Sequence, residues 1–220
     1  MLINNDLTLR AVEYTKNRKW SESPAPGVWR KKLDSHGEES GRATSLVKFD
    51  PGSSFTEHGH PNGEEIFVID GTFSDKSGDF SAGFYIRNPD GYRHTPFSTD
   101  GCCIFVKLCQ FDHKDTERKI INSKQTSWLP GRTPGLSVLP LHNFGNENIA
   151  LVRWEPETYF QQHRHDAGEE ILVLEGVFED EHGRYPSGSW IRNPSGSMHQ
   201  PFSKEGCVIY VKTGHLPFKA

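Results

Sequence analysis

The sequence predicts an all-β protein built from two tandem barrels. Gly and Pro, at 21 and 14 of the 220 residues, are spread along the chain and mark turns about every eight to twelve residues, as in folds with many short strands. Apolar residues come in short runs, such as 66–69 and 171–174, that fit strands buried on both faces. No apolar stripe with the period of a helix accompanies them. The second half of the chain also repeats the first, which indicates two copies of one β domain.

The repeat is continuous through the middle of each copy. A shift of 105 residues, the separation of His58 from His163, places 46–107 on 151–212 without a gap. About half of the aligned residues are identical. We therefore divide the chain into a first domain, 1–115, and a second domain, 116–220, with the polar stretch 110–130 predicted to link them.

Each copy carries three histidines and one glutamate at matching intervals. Side chains two apart in a strand point to the same face, so His58 and His60 direct two imidazoles at one point. Glu64 follows a Pro-Asn-Gly turn and enters a buried apolar run, where a lone carboxylate needs a positive partner. His94 follows a later turn and is expected on a neighbouring strand. The corresponding side chains of the second copy are His163, His165, Glu169 and His199.

This pattern favours metal binding over simple packing. A single His-x-His pair is more often a packing feature than a ligand pair, but here a glutamate and a third histidine follow it in both copies. Three nitrogen donors with one carboxylate suit zinc, iron, manganese, nickel or copper, and they disfavour calcium and magnesium. The sequence therefore predicts one divalent transition metal per domain and leaves its identity open.

The same intervals resemble the two motifs of the cupin superfamily. In the first copy the motifs read Gly52-x5-His58-x-His60-x3-Glu64-x6-Gly71 and Gly83-x5-Pro89-x-Gly91-x2-His94. The second copy departs from the pattern at Glu157, where an opening glycine is usual, and both copies carry serine where the second motif usually has asparagine. The phrases Gly-Glu-Glu-Ile, Gly-x-Phe-x-Asp and Ile-Arg-Asn-Pro, present in both copies, resemble the cupin domain of ChrR-type anti-sigma factors.

The resemblance implies a fold, a metal and a role. The fold is a double-stranded β-helix, or jelly roll, in each copy, and the metal is zinc, with iron, manganese or nickel as alternatives. The role is that of a sensor or regulatory module in a stress response, with a regulatory protein or a small molecule as partner. In that family a separate helical domain binds the sigma factor, but residues 1–40 hold no His-x3-Cys-x2-Cys set, so we expect this chain to act without one. Similar cupins are iron-dependent dioxygenases of small diketones or aromatic ketones, and whether this chain is an enzyme stays open.

Composition narrows the remaining classes of function. A net charge of −4 and a pI near 6.3 do not favour nucleic acid or an anionic membrane as partner. No apolar run approaches the roughly 20 residues of a membrane span, and no secretory signal is visible, so we expect a cytoplasmic protein. Association into a homo-oligomer is compatible with the sequence.

One pair of glutamates and the set of cysteines each have alternative interpretations. Strand parity points Glu65 and Glu170 away from the metal face, so we expect basic partners such as Arg87 or Arg192, with a role beside the metal as the alternative. None of the four cysteines forms a Cys-x-x-Cys pair, and we interpret them as buried thiols in a reducing compartment. A redox-sensing thiol on the last strand of each copy is the alternative.

Overall fold

The computed structural model describes residues 2–37 and 41–217, and it confirms the all-β fold. This part of the chain holds 24 strands and one 3-10 helix, Thr15–Asn17. None of its helices has the length and apolar character that crossing a membrane requires.

The strands are short, except for one long strand in each half of the chain. Those of the first half are β1 (Ala11–Tyr14), β2 (Ser21–Glu22), β3 (Val28–Ser35), β4 (Ala43–Phe49), β5 (Ser53–Ser54), β6 (His58–Gly59), β7 (Glu64–Asp75), β8 (Gly78–Ser81), β9 (Phe84–Asn88), β10 (Arg93–His94), β11 (Phe97–Ser98), β12 (Cys102–Leu108) and β13 (Lys119–Asn122). Those of the second half are β14 (Leu129–Pro130), β15 (Leu136–Phe144), β16 (Glu147–Trp154), β17 (Thr158–Tyr159), β18 (His163–His165), β19 (Glu169–Asp180), β20 (Gly183–Pro186), β21 (Ser189–Asn193), β22 (Ser197–His199), β23 (Phe202–Ser203) and β24 (Cys207–Thr213).

The chain folds into two compact units with the same topology. The first unit comprises residues 1–5 and 18–126, and its main sheet has the antiparallel order β13-β9-β7-β12-β4-β3-β2. The second unit comprises residues 6–17 and 127–220, and its main sheet has the order β1-β21-β19-β24-β16-β15-β14. In each unit a separate two-stranded sheet, β6 with β10 or β18 with β22, carries histidines.

These units differ from the linear division at 115/116 in their edge strands. β13 lies beyond that boundary but pairs with β9 of the first unit, through contacts such as Ile121 opposite Tyr85. β1 precedes the first barrel in sequence but pairs with β21 of the second unit. An unpaired sheet edge exposes backbone donors and acceptors, and these strands cover the edges of β9 and β21. The predicted linker 110–130 therefore contains a strand that is too short for a periodic apolar signal.

The barrel interiors are filled by matching apolar side chains. In the first unit Val68, Phe73 and Ile104 belong to one buried cluster. Their counterparts after a shift of 105 residues also cluster in the second unit: Val173, Phe178 and Ile209. Full burial of such a side chain stabilises the fold by about 1.5–3 kcal/mol, so the repeated apolar runs supply the core of each barrel.

The opposite face of the long strands buries charge. Glu65 lies 3.3 Å from the guanidinium of Arg87, its expected partner, and Arg87 also pairs with Asp115. In the second unit Glu170 accepts a hydrogen bond of 2.9 Å from the indole of Trp190 and lies 2.7 Å from Nε2 of His215. Both glutamates thus have local partners on the face turned away from the barrel interior.

Candidate metal centres

The first candidate centre lies where two short strands meet the start of a long one. β6 and β10 pair in a register that sets His94 directly opposite His58. His60 follows β6 by one residue, and Glu64 begins β7. One ring nitrogen from each of the three histidines lies within 4.8 Å of the others. The structure thus gathers in one place side chains that are far apart in the sequence.

The Glu64 carboxylate completes this first set. Its Oε1 lies 3.7 Å from Nε2 of His60, and its Oε2 lies 3.3 Å from Nε2 of His94. Glu64 is 7% exposed and His94 only 1%. Taking a carboxylate to this depth is costly unless a positive charge accompanies it, so the geometry favours a cation among the four side chains.

Hydrogen bonds orient two of the imidazoles. Nδ1 of His58 donates to the carbonyl oxygen of Thr56 at 2.8 Å, which leaves Nε2 as the coordinating atom. Nδ1 of His94 lies 3.3 Å from Oδ2 of Asp75. A histidine that binds a metal through one nitrogen commonly gives its other N–H to a carbonyl or carboxylate in this way.

A chain of side chains fixes the Glu64 carboxylate from behind. Nδ2 of Asn88 donates to Oε2 of Glu64 at 3.2 Å, and Nε of Arg118 donates to Oδ1 of Asn88 at 3.2 Å. Arg118 also donates to the Tyr92 hydroxyl at 3.0 Å, which in turn lies 3.3 Å from Asp75. The residues behind the centre therefore form one connected network.

The second candidate centre repeats this arrangement. The pairing of β18 with β22 sets His199 opposite His163. Nε2 of His165 lies 3.0 Å from Nε2 of His199. The Glu169 oxygens lie 3.5 Å from Nε2 of His165 and 3.4 Å from Nε2 of His199. Nδ1 of His163 donates to the Gln161 carbonyl at 3.1 Å.

The network behind the second centre begins in the N-terminal segment. Nδ2 of Asn193 donates to Oε2 of Glu169 at 2.9 Å, and Nε of Arg10 donates to Oδ1 of Asn193 at 2.9 Å. Arg10 also reaches Asp180 at 3.1 Å and the Tyr185 hydroxyl at 2.6 Å. Arg10 directly precedes β1, and its equivalent in the first unit, Arg118, directly precedes β13. Each of these strands forms one edge of the main sheet of its unit.

Both centres fit a divalent transition metal. Two ligands at right angles around an ion at about 2.1 Å are about 3.0 Å apart, which matches the separation of His165 and His199. In the first centre Nε2 of His94 is buried and makes no hydrogen bond, although buried polar atoms normally have a partner. Three imidazoles with one carboxylate are a donor set suited to zinc and its neighbours.

The local electrostatics divide the histidines into two kinds. Burial lowers the pKa of His60, which keeps its imidazole neutral and able to coordinate at pH 7. In His94 burial acts in the same direction, but the hydrogen bond with Asp75 and the charge of Glu64 outweigh it and raise the pKa. The equivalent histidines of the second centre shift in the same directions. Because coordination requires neutral imidazole, a cation that binds near neutral pH displaces protons.

Each centre also forms part of a pocket wall inside its barrel. The first pocket, of about 60 Å³, has Phe55 and Phe73 in its lining beside the histidines. The second, of about 300 Å³, is lined by Trp154, Phe160 and Phe178. Sites for small organic ligands usually have volumes of about 300–1,000 Å³, so the second pocket reaches the lower end of this range and the first is much smaller.

Four residues that support the two centres were not predicted from the sequence. Asp75 and Asn88 face the first centre, and Asp180 and Asn193 face the second. A signal for them was present in the repeat. Like the histidines and glutamates, these residues are identical in the two copies after a shift of 105 residues.

Solved structures share this architecture. The fold resembles a proposed dioxygenase from Nostoc punctiforme, with 19% identity, a TM-score of 0.80, and coverage of 97% of this chain and 85% of that chain. It resembles the protein YlbA from Escherichia coli, with 14% identity, a TM-score of 0.76 and coverage of 99% and 96%. The nickel(II) complex of the pirin YhhW from Escherichia coli matches with 12% identity, a TM-score of 0.67 and coverage of 96% and 100%. At these identities the likeness shows the fold alone.

The sequence itself identifies the family. No curated protein matches the chain. The model of the ChrR cupin-like domain, by contrast, matches twice, over residues 9–112 and 116–217. These matches cover nearly the whole chain and include both sets of three histidines and one glutamate. The chain therefore belongs to the family of ChrR cupin-like domains and carries two of them in tandem.

Proposed function

We propose that each domain binds one divalent transition metal and presents it to a small molecule in the barrel pocket. The observation that carries this proposal is that His58, His60 and Glu64 converge on one point and also line the first pocket. In the second domain the three corresponding residues and His199 line the second pocket. Ligands of a purely structural ion would face packed side chains, whereas these face a cavity.

The two centres have the parts that such chemistry needs. Four protein ligands leave one or two positions of a five- or six-coordinate ion open, and the ion supplies Lewis acidity there. The Asn88 amide and the Asp75 carboxylate hold Glu64 and His94 in orientation. Zinc is the metal we propose from the family resemblance, with iron, manganese and nickel as alternatives.

Elemental analysis of untagged protein tests the proposal. We expect two equivalents of metal per chain after purification or supplementation. His94→Ala should lose about one equivalent, His199→Ala the other, and the double variant both. His113→Ala is the matched control, because the His113 side chain is 78% exposed and lies outside both centres.

Melting temperatures measured on the same samples add a second readout. A ligand that binds only the folded state raises the melting temperature, so chelation should lower it in the wild type and leave the double variant unchanged. Wild-type protein that takes up less than one equivalent after supplementation would contradict the proposal. Retention of metal by all the variants would also contradict it.

For the biological role we propose a sensor or regulatory function in a stress response, as the resemblance to ChrR-type proteins implies. The chain would act in the cytoplasm, where its four free thiols stay reduced. Affinity capture from cells, with the wild type and the metal-free double variant compared with and without oxidant, tests this role. A partner that depends on the metal or on oxidant is expected, and identical recovery in all four conditions would contradict it.

A second candidate is an iron-dependent oxygenase reaction on a small diketone or aromatic ketone. The apolar lining of the second pocket by Trp154, Phe160 and Phe178 supports it, as does the likeness in fold to the proposed dioxygenase. Protein loaded with Fe(II) should then consume O₂ with a panel of diketones and acetophenones, and His199→Ala should abolish the activity. Fully loaded protein without turnover on the panel would exclude this candidate.

A further inference from the structure

The two barrels enclose cavities of very different size. The first cavity has a volume of about 60 Å³ and the second a volume of about 300 Å³. Liquid water takes about 30 Å³ per molecule, so the first cavity has room for only a few water molecules. The second reaches the volume at which sites for small organic ligands begin. Because the two domains share their candidate metal ligands, the difference comes from other residues of the walls.

One exchange on the inward face of a strand contributes to this difference. Arg30 on β3 lies opposite Val47, and Val138 on β15 lies opposite Val152. Val47 and Val152 are equivalent after the shift of 105 residues, so Arg30 and Val138 occupy the same position in their barrels. Both side chains line the cavity of their own barrel. The first barrel therefore has a long side chain where the second has a short one.

The Arg30 side chain reaches towards the first metal centre. Its guanidinium carbon lies 5.8 Å from the centre of the Phe55 ring, and that ring lies 5.4 Å from the His58 ring. Lys32 follows on the same face of β3 and lines the same cavity. Whatever else these two long side chains contact, they take up space inside the barrel that valine at the equivalent position leaves open.

The wall of the second cavity suits a flat aromatic molecule. Trp154, Phe160 and Phe178 line it together with the histidines of the second centre. The rings of Trp154 and Phe178 lie 5.7 Å apart and nearly perpendicular, at 77°, and the Phe160 ring lies 5.1 Å from the His163 ring. Aromatic rings pack favourably in edge-to-face arrangements of this kind, so an aromatic ligand here would also lie beside the metal.

One cationic side chain completes this lining. Arg132 lies in the loop between β14 and β15, is exposed and lines the second cavity. Within residues 2–37 and 41–217 its guanidinium makes no hydrogen bond or ion pair. The first barrel has Pro24 at this position, six residues before Arg30, as Arg132 is six before Val138. A guanidinium binds a carboxylate through two parallel hydrogen bonds, so an acidic group of a ligand would have a partner here.

We infer that the second barrel alone binds an organic ligand, an aromatic carboxylic acid whose ring packs against the three aromatic side chains and whose carboxylate meets Arg132. The first barrel, narrowed by Arg30 and Lys32, admits only molecules of about the size of water to its centre. This assignment rests on the proposed function, since it requires a metal beside each cavity, and it gives the two centres different ligands.

Titration calorimetry on metal-loaded full-length protein tests the assignment, with benzoate and phenylacetate as probes. At least one of them should bind with one site per chain, not two. Methyl benzoate, which lacks the charge, and acetate, which lacks the ring, should each bind about 10-fold or more weakly. Val138→Arg, which copies the first barrel, should weaken binding of the acid by about 10-fold or more, because the added side chain fills the cavity. Ser137→Arg is its matched control, because neighbouring residues of a strand point to opposite faces.

A second pair of variants tests the carboxylate partner. Arg132→Gln should weaken binding of the acid by about 10-fold, the lower end of the effect of losing a hydrogen bond between charged groups, and leave methyl benzoate unchanged. Arg153→Gln is the matched control, because the Arg153 guanidinium lies 4.2 Å from the centre of the Trp128 ring and outside the lining of the second cavity.

Metal content and melting temperature are measured on every sample. Loss of metal from the wild type would contradict the proposed function, whereas loaded protein without ligand binding contradicts the assignment. It is overturned if both centres are loaded and neither acid binds at about 10 mM. It is equally overturned if an acid binds at two sites per chain, if folded Val138→Arg keeps the affinity of the wild type, or if methyl benzoate binds as tightly as benzoate.

Discussion

Arg10 donates a hydrogen bond to Oδ1 of Asn193 across 2.9 Å, although 183 residues separate the two in sequence. Asn193 in turn holds the Glu169 carboxylate. The N-terminal segment thus helps to orient Glu169, a candidate metal ligand of the second centre. In the first unit Arg118 occupies the same position, with Nε 3.2 Å from Oδ1 of Asn88.

The hydrogen bond from Arg10 to Asn193 predicts that a change at Arg10 lowers metal affinity at the second centre only. Arg10→Gln should weaken binding at the second centre by about 10-fold, because partners that orient metal ligands typically contribute 10- to 100-fold in affinity. The first centre should be unaffected. Competition with a chromophoric chelator, on variants in which the other centre is removed by His94→Ala or His199→Ala, measures each affinity separately.

Arg118→Gln provides the reciprocal control and should weaken only the first centre. Equal losses at both centres from either variant would show a general effect on folding instead of a local one. An unchanged affinity in both variants would refute the assigned orienting role.

Asp75 and Asp180, the carboxylates beside the third histidine of each centre, should contribute unequally to metal affinity. Oδ2 of Asp75 lies 3.3 Å from Nδ1 of His94, whereas Oδ2 of Asp180 lies 3.7 Å from Nδ1 of His199, which makes no hydrogen bond. Asp75→Asn should therefore lower the affinity of its centre by about 10-fold, and Asp180→Asn should have a smaller effect. The same chelator competition measures both, and a larger loss from Asp180→Asn would contradict this ranking.

The histidines could be predicted from the sequence because they depend on strand parity and on the repeat. His58 and His60 lie two residues apart, so any extended conformation directs both to one side. The repeated apolar runs predicted the β architecture for a similar reason, since burial on both faces leaves a local signal.

The supporting network could not be predicted in the same way, because it depends on which strands become neighbours. Arg118 meets Asn88 only because β13 adds to the edge of β9, and β13 has four residues with no apolar period.

The turn at Glu157 predicts a stabilising substitution. Glu157 has a φ of 57°, close to the 76° of Gly52 at the equivalent position, so the turn is kept although the glycine is missing. A left-handed conformation costs a residue with a side chain about 1–2 kcal/mol, partly offset by the greater freedom of glycine in the unfolded chain. Glu157→Gly should raise the free energy of unfolding by about 0.5–1 kcal/mol. Urea denaturation measures this change in stability. The reciprocal variant, Gly52→Glu, should be less stable than the wild type. A lower stability of Glu157→Gly would contradict the argument.

The buried cysteines should be unreactive in the folded protein. Burial raises the pKa of Cys102 to about 11 and that of Cys207 to about 12, so at pH 8 roughly one thiol in a thousand or fewer is the reactive thiolate. Iodoacetamide followed by mass spectrometry should label these two slowly in the native protein and rapidly after denaturation, and the native rate should rise between pH 8 and 10. Rapid labelling at pH 7 would instead support the redox-sensing alternative.

The glycine that follows each central apolar run should be difficult to replace. A Cβ at Gly176 would lie 2.0 Å from the carbonyl oxygen of Gly206, and φ there is +67°, so both the backbone conformation and the close approach of the next strand require glycine. Gly176→Ala should therefore lower the free energy of unfolding by more than about 2 kcal/mol, since the clash adds to the left-handed strain. Gly91→Ala is the matched control, because φ is +83° but no atom lies within 4 Å of the added Cβ, and we expect a loss of only about 1 kcal/mol. Urea denaturation of both variants separates strain from clash, and equal losses would show that the approach of Gly206 contributes nothing.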